Sequence, residues 1–414
     1  LNALLPTPVP VPRRPWEPTG PTPPVAPAMG HHSWTGDTQG GGLAGRSVYV
    51  SGGHGWYWSA TLGRWATQRG NTHNIVEDFV NSEAVNHYLV PMLRNAGAQV
   101  ITVREHDMQP AMVVVDEGDP VGKDGAGYSE QGAFQAGTAK GFANGKAPYS
   151  GSANPFALGG YRAVAVVKGE PTATASFVPA LPEAGMYSVQ VGYTAGSNRS
   201  QDAHFEIRHS GGVSHRRVNM QRHGQTWVWL GTFHFPAGVD PAHGAVLLHN
   251  DTLAAETGAY VVADVVRFGG GEGLIVRGNG APPTKGPTSG RPRWEECARY
   301  HAQYSGAPPT VWDPSAADNS DDVTTRSRFS AWHHEQGEDA LFVSWHSNAP
   351  DPARGTSTYV YGPNAPDGSY QFSGTKGSDV LGKLLQESLV ADIRAVFDPN
   401  WKDRGVRSAW FGEI

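Results

Sequence analysis

Ser47-Val48-Tyr49-Val50, halted by Ser51-Gly52-Gly53-His54-Gly55, decides the fold. The apolar run reads as a buried strand, and the serine and glycines after it mark a tight turn. The spacing then predicts a helix from about Asn74 to Asn95. Ile75, Val76, Phe79, Val80, Ala84, Val85, Tyr88, Leu89, Met92 and Leu93 fall into i, i+4 pairs on one stripe. Pro91 is expected to kink its last turn, and Gly97 to stop it. Gln99-Val100-Ile101-Thr102-Val103 reads as a second strand. Strand, helix and strand in this order form a βαβ unit, and hence a parallel sheet.

Further along the chain the pattern changes twice. Residues 117–160 are Gly-rich and weakly patterned. From about Arg162 to Phe268 apolar and polar residues alternate, as in Tyr187-Ser188-Val189-Gln190-Val191-Gly192-Tyr193, Phe205/Ile207, Val228/Leu230 and Phe233/Phe235. Short strands of this kind, with turn signals at Pro182-Glu183-Ala184-Gly185 and Ser210-Gly211-Gly212, predict a β-sandwich. The α/β character returns with the runs Leu341–Trp345 and Ser357–Tyr361, and with a helical stripe from Val380 to Phe397 stopped by Asp398-Pro399. The expected fold class is therefore α/β, a mainly parallel sheet flanked by helices, with an inserted all-β sandwich. The expected division is a Pro/Gly-rich linker at 1–45, a first α/β part at 46–122, the insertion at 123–270 and a second α/β part at 271–414, cut short at its C-terminus.

Composition narrows the function classes. The chain has 414 residues, a net charge of −6 and only 17% charged residues. That excludes a strongly basic nucleic-acid footprint. No apolar run of eighteen residues exists, so no membrane-spanning helix is expected. Cys297, the single cysteine, excludes an internal disulfide and a cysteine-built zinc site. The chain begins at Leu1, and no signal-peptide pattern is visible.

Of 17 histidines, two stand at strand ends. His54 follows the first strand, and His346 follows Leu341–Trp345 within Ser344-Trp345-His346-Ser347-Asn348. C-terminal strand ends of a parallel sheet gather on one edge, where binding sites form. Glu77, in the first turn of the first helix and off its apolar stripe, faces either that edge or solvent. Two histidines and a glutamate with one open position make a catalytic zinc pattern. A carboxylate at Glu77 is equally what a helix N-terminus favours, and Asp78 and Glu83 compete for the role.

VYVSGGHGW, Glu77 with Asn81 a turn later, NAGAQVITVRE, and ALFVSWHSNA followed by GTSTYVYG together resemble the zinc-dependent N-acetylmuramoyl-L-alanine amidases, over roughly residues 46–110 and 322–414. The resemblance implies that His54, Glu77 and His346 hold zinc. It also implies a second glutamate as general acid/base. Asp403–Ala409 resembles the segment before that glutamate, which would then lie beyond Ile414. Glu413 is the one candidate catalytic carboxylate within this chain at that end, and its carboxylate is expected away from the triad. The inserted segment resembles the golvesin C-terminal-like sandwich and the carbohydrate-binding-like domain of xanthan lyase, through LPEAGMYSVQVGYTAGS, Gln225–Phe233 and Val262–Phe268. Trp227 and Trp229 share one face of a strand there, and either stack on sugar rings or pack internally.

The function these resemblances imply is hydrolysis of the amide between N-acetylmuramic acid and L-alanine. The partners implied are peptidoglycan and muropeptides, with glycan contact by the insertion. The implied location is outside the cytoplasm, periplasmic or extracellular. A catalytically impaired wall- or glycan-binding protein and a zinc peptidase are the alternatives.

Overall fold

The computed structural model describes residues 41–71, 76–278, 287–347, 354–364 and 370–413. Residues 1–40 of the linker expected at 1–45, and Asn348, lie outside the described residues.

Ser47–Ser51 forms the middle of a three-stranded sheet. It pairs in parallel with Gln99–Thr102 on one side and with Ala340–Ser344 on the other. A segment nearly 300 residues downstream thus completes a sheet begun at the N-terminal side. Val48, Tyr49 and Val50 are all buried, as the uninterrupted apolar run requires of a central parallel strand. The register sets Ser51 opposite Ser344, and the two strands end together, one before His54 and the other before His346.

The helix between the first two strands is not regular. It runs as an α-helix over Glu77–Ala84, widens into a π-turn over Val85–Leu89, and resumes over Val90–Asn95. Pro91 has no N–H to donate, and a wide turn just before it absorbs that loss. The expected apolar stripe is only partly the buried one. Val85 and Val90 are buried, while Val80, Tyr88 and Met92 are exposed. The side turned inward in the first two turns is polar instead, with Glu77, Asp78, Asn81 and Ser82.

Most strands lie elsewhere. The sandwich is built of a five-stranded and a four-stranded sheet, and every pairing within them is antiparallel. Phe177, Val189, Val191, Phe205, Ile207, Leu230, Phe235, Leu248 and Phe268 fill the space between them, as the period-two alternation predicts. This corrects the expected emphasis, since the described residues form mainly antiparallel β structure. Thr356–Tyr361 and Asp403–Ala409 pair in parallel, but as a separate two-stranded sheet. The short apolar runs give only a few parallel strands, whereas the long alternating stretches all build the sandwich.

The sandwich also reaches further toward the N-terminus than residue 123. Val113–Asp116 pairs antiparallel with Val265–Phe268 at the edge of the four-stranded sheet. Three consecutive valines fit either type of sheet, and the edge of the sandwich supplies the unpaired backbone they need.

Asp116 closes that strand and carries a pH-dependent penalty. Burial, and then the neighbouring Asp119 and Glu117, push its carboxyl up to about 7, against backbone N–H donation from Asn144. A carboxyl raised in the folded state is protonated there before it is in the unfolded chain. The penalty is therefore fully present above pH 7 and relieved as pH falls toward 4. Asp116→Asn is expected to raise the thermal midpoint at pH 8 by a few degrees and to change little at pH 4. A melting series over that range checks it.

Candidate metal centre

His54, Glu77 and His346 come together. One donor atom from each lies within 4.8 Å of the other two, and this is the only such group of three among the described residues. The His54 and His346 rings are 4.8 Å apart at 55°. His346 Nδ1 faces Glu77 Oε1 at 3.6 Å. A tetrahedral zinc site needs its donors roughly 3.5–4 Å apart, so a small side-chain rotation closes this one.

The surroundings fit a cation. His54 Nδ1 and Glu77 Oε1 are buried and have no hydrogen-bond partner among the described residues. Two buried polar atoms left without partners in one small cluster are costly unless something joins them. Burial, followed by the charges of Arg326 and other neighbours, holds the His54 imidazole far below its ordinary pKa. It is therefore neutral, as a metal-ligating histidine must be. His346 is held on its other side, with Nε2 3.0 Å from Ser344 Oγ and 3.3 Å from Arg326 Nη1. Of the two, only the Ser344 hydroxyl can accept from Nε2–H, and that arrangement leaves Nδ1, on the Glu77 side, for a metal.

The competing carboxylates have other roles. Asp78 is fully buried and accepts backbone N–H bonds from Gln68 at 2.9 Å and Arg69 at 3.1 Å. It ties down the end of the Trp56–Thr67 hairpin. Glu83 is exposed. Glu77 itself pairs with Arg69 through Oε2, at 3.4 Å.

The loop carrying His54 is gripped from beneath by Arg104. This buried guanidinium donates to the carbonyls of Gly52, His54, Asp78, Trp294 and Glu296. Gly55 is required by the same packing, because a Cβ there would sit 2.6 Å from the backbone of Glu296. Gly53 has φ +74 and lies against Asn81, so it too resists a side chain. The arginine sits in the stretch Thr102-Val103-Arg104-Glu105, where its position in sequence carries no sign of this role.

Glu413 is not where the sequence places it. Its Oε1 is 3.6 Å from His346 Nε2, and its Oε2 is 3.7 Å from Arg326 Nη1. The expectation of a carboxylate away from the triad is therefore corrected. Asp403–Ala409 runs parallel to Thr356–Tyr361, and Ser327 Oγ donates to Gly412 O at 2.6 Å. Together these bring the end of the described chain back over the Asp318–His333 helix. That helix also supplies Arg326, which the sequence reading missed. Arg326 is fully buried and paired with Asp322 one turn earlier.

Trp227 and Trp229 are packed internally. Trp227 is buried among Phe142, Phe156 and Tyr304. Trp229 is half-buried, with the Arg94 guanidinium 3.1 Å above its ring and His106 at 4.3 Å. Neither offers an open face to a sugar.

Beside this geometry stand the similarities to known proteins. Residues 150–270, within the sandwich, match the Golvesin C-terminal domain. The chain is 36% identical over 100 residues to a xanthan lyase of Bacillus sp. (strain GL1), a stretch that spans 24% of this chain and 10% of the lyase. The solved Paenibacillus xanthan lyase matches at 29% identity with a TM-score of 0.29, over 39% of this chain and 13% of that one. An Arthrobacter globiformis T6 isomalto-dextranase, solved with panose, matches at 14% identity and a TM-score of 0.24, over 38% of this chain and 23% of that one. No helix of the described residues is long and apolar enough to cross a membrane. Residues 150–270 of this chain are thus similar to the Golvesin C-terminal domain, and the sandwich that contains them shares a stretch of sequence with xanthan lyase.

Proposed function

We propose that this chain is a glycan-directed metallohydrolase, with a zinc site at His54, Glu77 and His346 and a β-sandwich of carbohydrate-binding type. The observation that carries the hydrolase reading is the convergence of three ligand-type side chains at one edge of the parallel sheet, two of them with buried, unpartnered donor atoms. The bond to test first is the amide between N-acetylmuramic acid and L-alanine in peptidoglycan, because the strand-end segments resemble zinc amidases of that specificity. Such a substrate places the protein outside the cytoplasm.

Zinc, when bound, supplies a Lewis acid for the scissile carbonyl and lowers the pKa of a bound water. The chain's own residues do the rest. Glu413, whose Oε1 lies 3.6 Å from His346 Nε2, is the carboxylate that would accept the proton of the attacking water and return it to the leaving amine. Arg326 holds the other carboxylate oxygen and so orients it. Ser344 fixes the His346 ring, and Arg104 fixes the loop of His54.

A second reading is a glycan-binding protein without turnover. The similarities favour it, since the matched family lies in the sandwich and the named relatives act on carbohydrates. A zinc peptidase would use the same three ligands. Incubating the zinc-loaded chain with purified muropeptides, followed by mass analysis of the products, separates the three. Release of intact stem peptide supports the amidase, cleavage within the peptide supports the peptidase, and binding without product supports the glycan-binding protein.

A further inference from the structure

Three neighbouring strands of the five-stranded sheet carry histidines on its outer face. Ala203, Phe205 and Ile207 of the Ala203–His209 strand are buried, so His204, Glu206 and Arg208 point out of the sandwich. His215, on the Gly212–Val218 strand, lies opposite Glu206, and His249, on Ala245–His249, lies opposite His204. His204 and His215 meet diagonally across the strand gap. His204 Nε2 is 2.9 Å from His215 Nδ1, and the two rings are 5.1 Å apart.

Behind His204, Asp251 Oδ1 lies 2.8 Å from Nδ1, and Arg217 donates to the other Asp251 oxygen at 2.8 Å. The carboxylate takes the Nδ1–H and leaves the Nε2 lone pair of His204 facing His215. A single proton, on His215 Nδ1, then lies between two imidazole nitrogens. A carboxylate behind the ring is also the outer partner that metal-ligating histidines almost always have. Burial holds the His204 imidazole below its ordinary pKa although Asp251 pulls the other way, and a ligating histidine must be neutral. The charges nearby are spent on one another. Arg217 pairs with Asp251 and Asp202, Arg208 pairs with Glu206 at 2.7 Å, and Glu206 faces His249 at 3.5 Å.

We propose that His204 and His215 form a cross-strand clamp for a divalent late first-row metal ion, with copper(II) held best. The ion takes the place of the shared proton, which leaves His215 Nδ1 for solvent. Two nitrogens each about 2.0–2.1 Å from such an ion stand roughly 2.8–3.4 Å apart, from square-planar to tetrahedral geometry, so the rings need little opening. No third ligand-type side chain joins the pair within 4.8 Å among the described residues, and water fills the other positions. With two protein ligands the clamp holds its ion more weakly than a three-ligand site, and dialysis strips it.

The test is calorimetric titration of the full chain with copper(II) at pH 7 in a non-coordinating buffer, beside His215→Ala and His204→Gln. His215 is exposed, so its removal spares the fold. Every other copper-binding group, the His54 centre included, is common to the three proteins. The difference between them therefore reports the clamp alone, whatever the His54 centre binds. The wild type is expected to take up one copper per chain more than either variant. Asp251→Asn keeps both ligands but removes the charge behind His204, and is expected to weaken that copper about 10–100-fold. Magnesium, which takes oxygen ligands, is expected not to compete. Should His204→Gln not fold, His215→Ala decides alone. The proposal is overturned if His215→Ala binds as much copper as the wild type, if Asp251→Asn leaves the affinity unchanged, or if magnesium displaces the copper.

Discussion

Glu413→Gln is expected to lower amide hydrolysis by about 10²–10⁴-fold, the usual loss when a general acid/base is removed, while the chain keeps its zinc. The amide has nearly the shape of the carboxylate but cannot take a proton from water. Glu413 approaches His346 and Arg326 at 3.6 and 3.7 Å yet stands outside the group of three ligand-type residues. Losing its charge thus leaves all three ligands in place. Muropeptide turnover and zinc content, measured on the same preparation, separate the possibilities. Unchanged turnover would remove Glu413 from the chemistry, and loss of zinc would make it a ligand.

The largest stability effect is expected at Glu105. Its side chain is fully buried, and Oε2 meets Arg267 Nη2 at 2.8 Å and Arg293 Nη1 at 3.0 Å. Arg267 belongs to the sandwich strand Val265–Phe268, Arg293 to the short turn Arg293–Glu295, and Glu105 to the segment just past the parallel strand Gln99–Thr102. One carboxylate therefore ties the sandwich to the parallel sheet. Burial alone would raise its pKa, but the two guanidiniums outweigh burial and hold it far below the usual carboxylate range. Glu105→Ala leaves both arginines buried and uncompensated, at a cost of about 3–5 kcal/mol. Urea unfolding of the two proteins at pH 7 measures it. A carboxyl depressed in the folded state stabilises above its unfolded pKa and loses that contribution as pH falls through the folded value. The gap between wild type and variant should hence narrow in acid. A difference under about 1 kcal/mol at pH 7 would mean that water reaches the pair.

How much of this was legible depends on what each segment buries. Val48-Tyr49-Val50 buries both faces, and unbroken apolar sequence marks it; the run before His346 is only half-buried at the edge of the same sheet, but its apolar residues mark it as well. The sandwich strands bury one face, and alternation marks them equally well. Two of the ligands could be found because they follow such strands. The Asp318–His333 helix could not be, because much of its buried side is Asp318, Asp321, Asp322, Thr325 and Arg326, satisfied by ion pairs rather than by apolar contact. Arg326 was lost with it. Arg104 was missed for a related reason: its partners are backbone carbonyls, which leave no trace in side-chain identity. Glu413 was misplaced because its position depends on the parallel pairing of Asp403–Ala409 with Thr356–Tyr361, a long-range contact that periodicity does not encode.

The account rests on the metal centre, and zinc stoichiometry tests it most directly. The full chain is loaded with zinc, dialysed against metal-free buffer and measured by mass spectrometry of the metal, beside His54→Ala, Glu77→Ala and His346→Ala variants whose fold is checked by circular dichroism. About one zinc per wild-type chain is expected, because three protein ligands and one open position define a single catalytic-type site, with marked loss in each folded variant. A wild-type chain without zinc, or variants that all retain it at the wild-type level, would contradict the account.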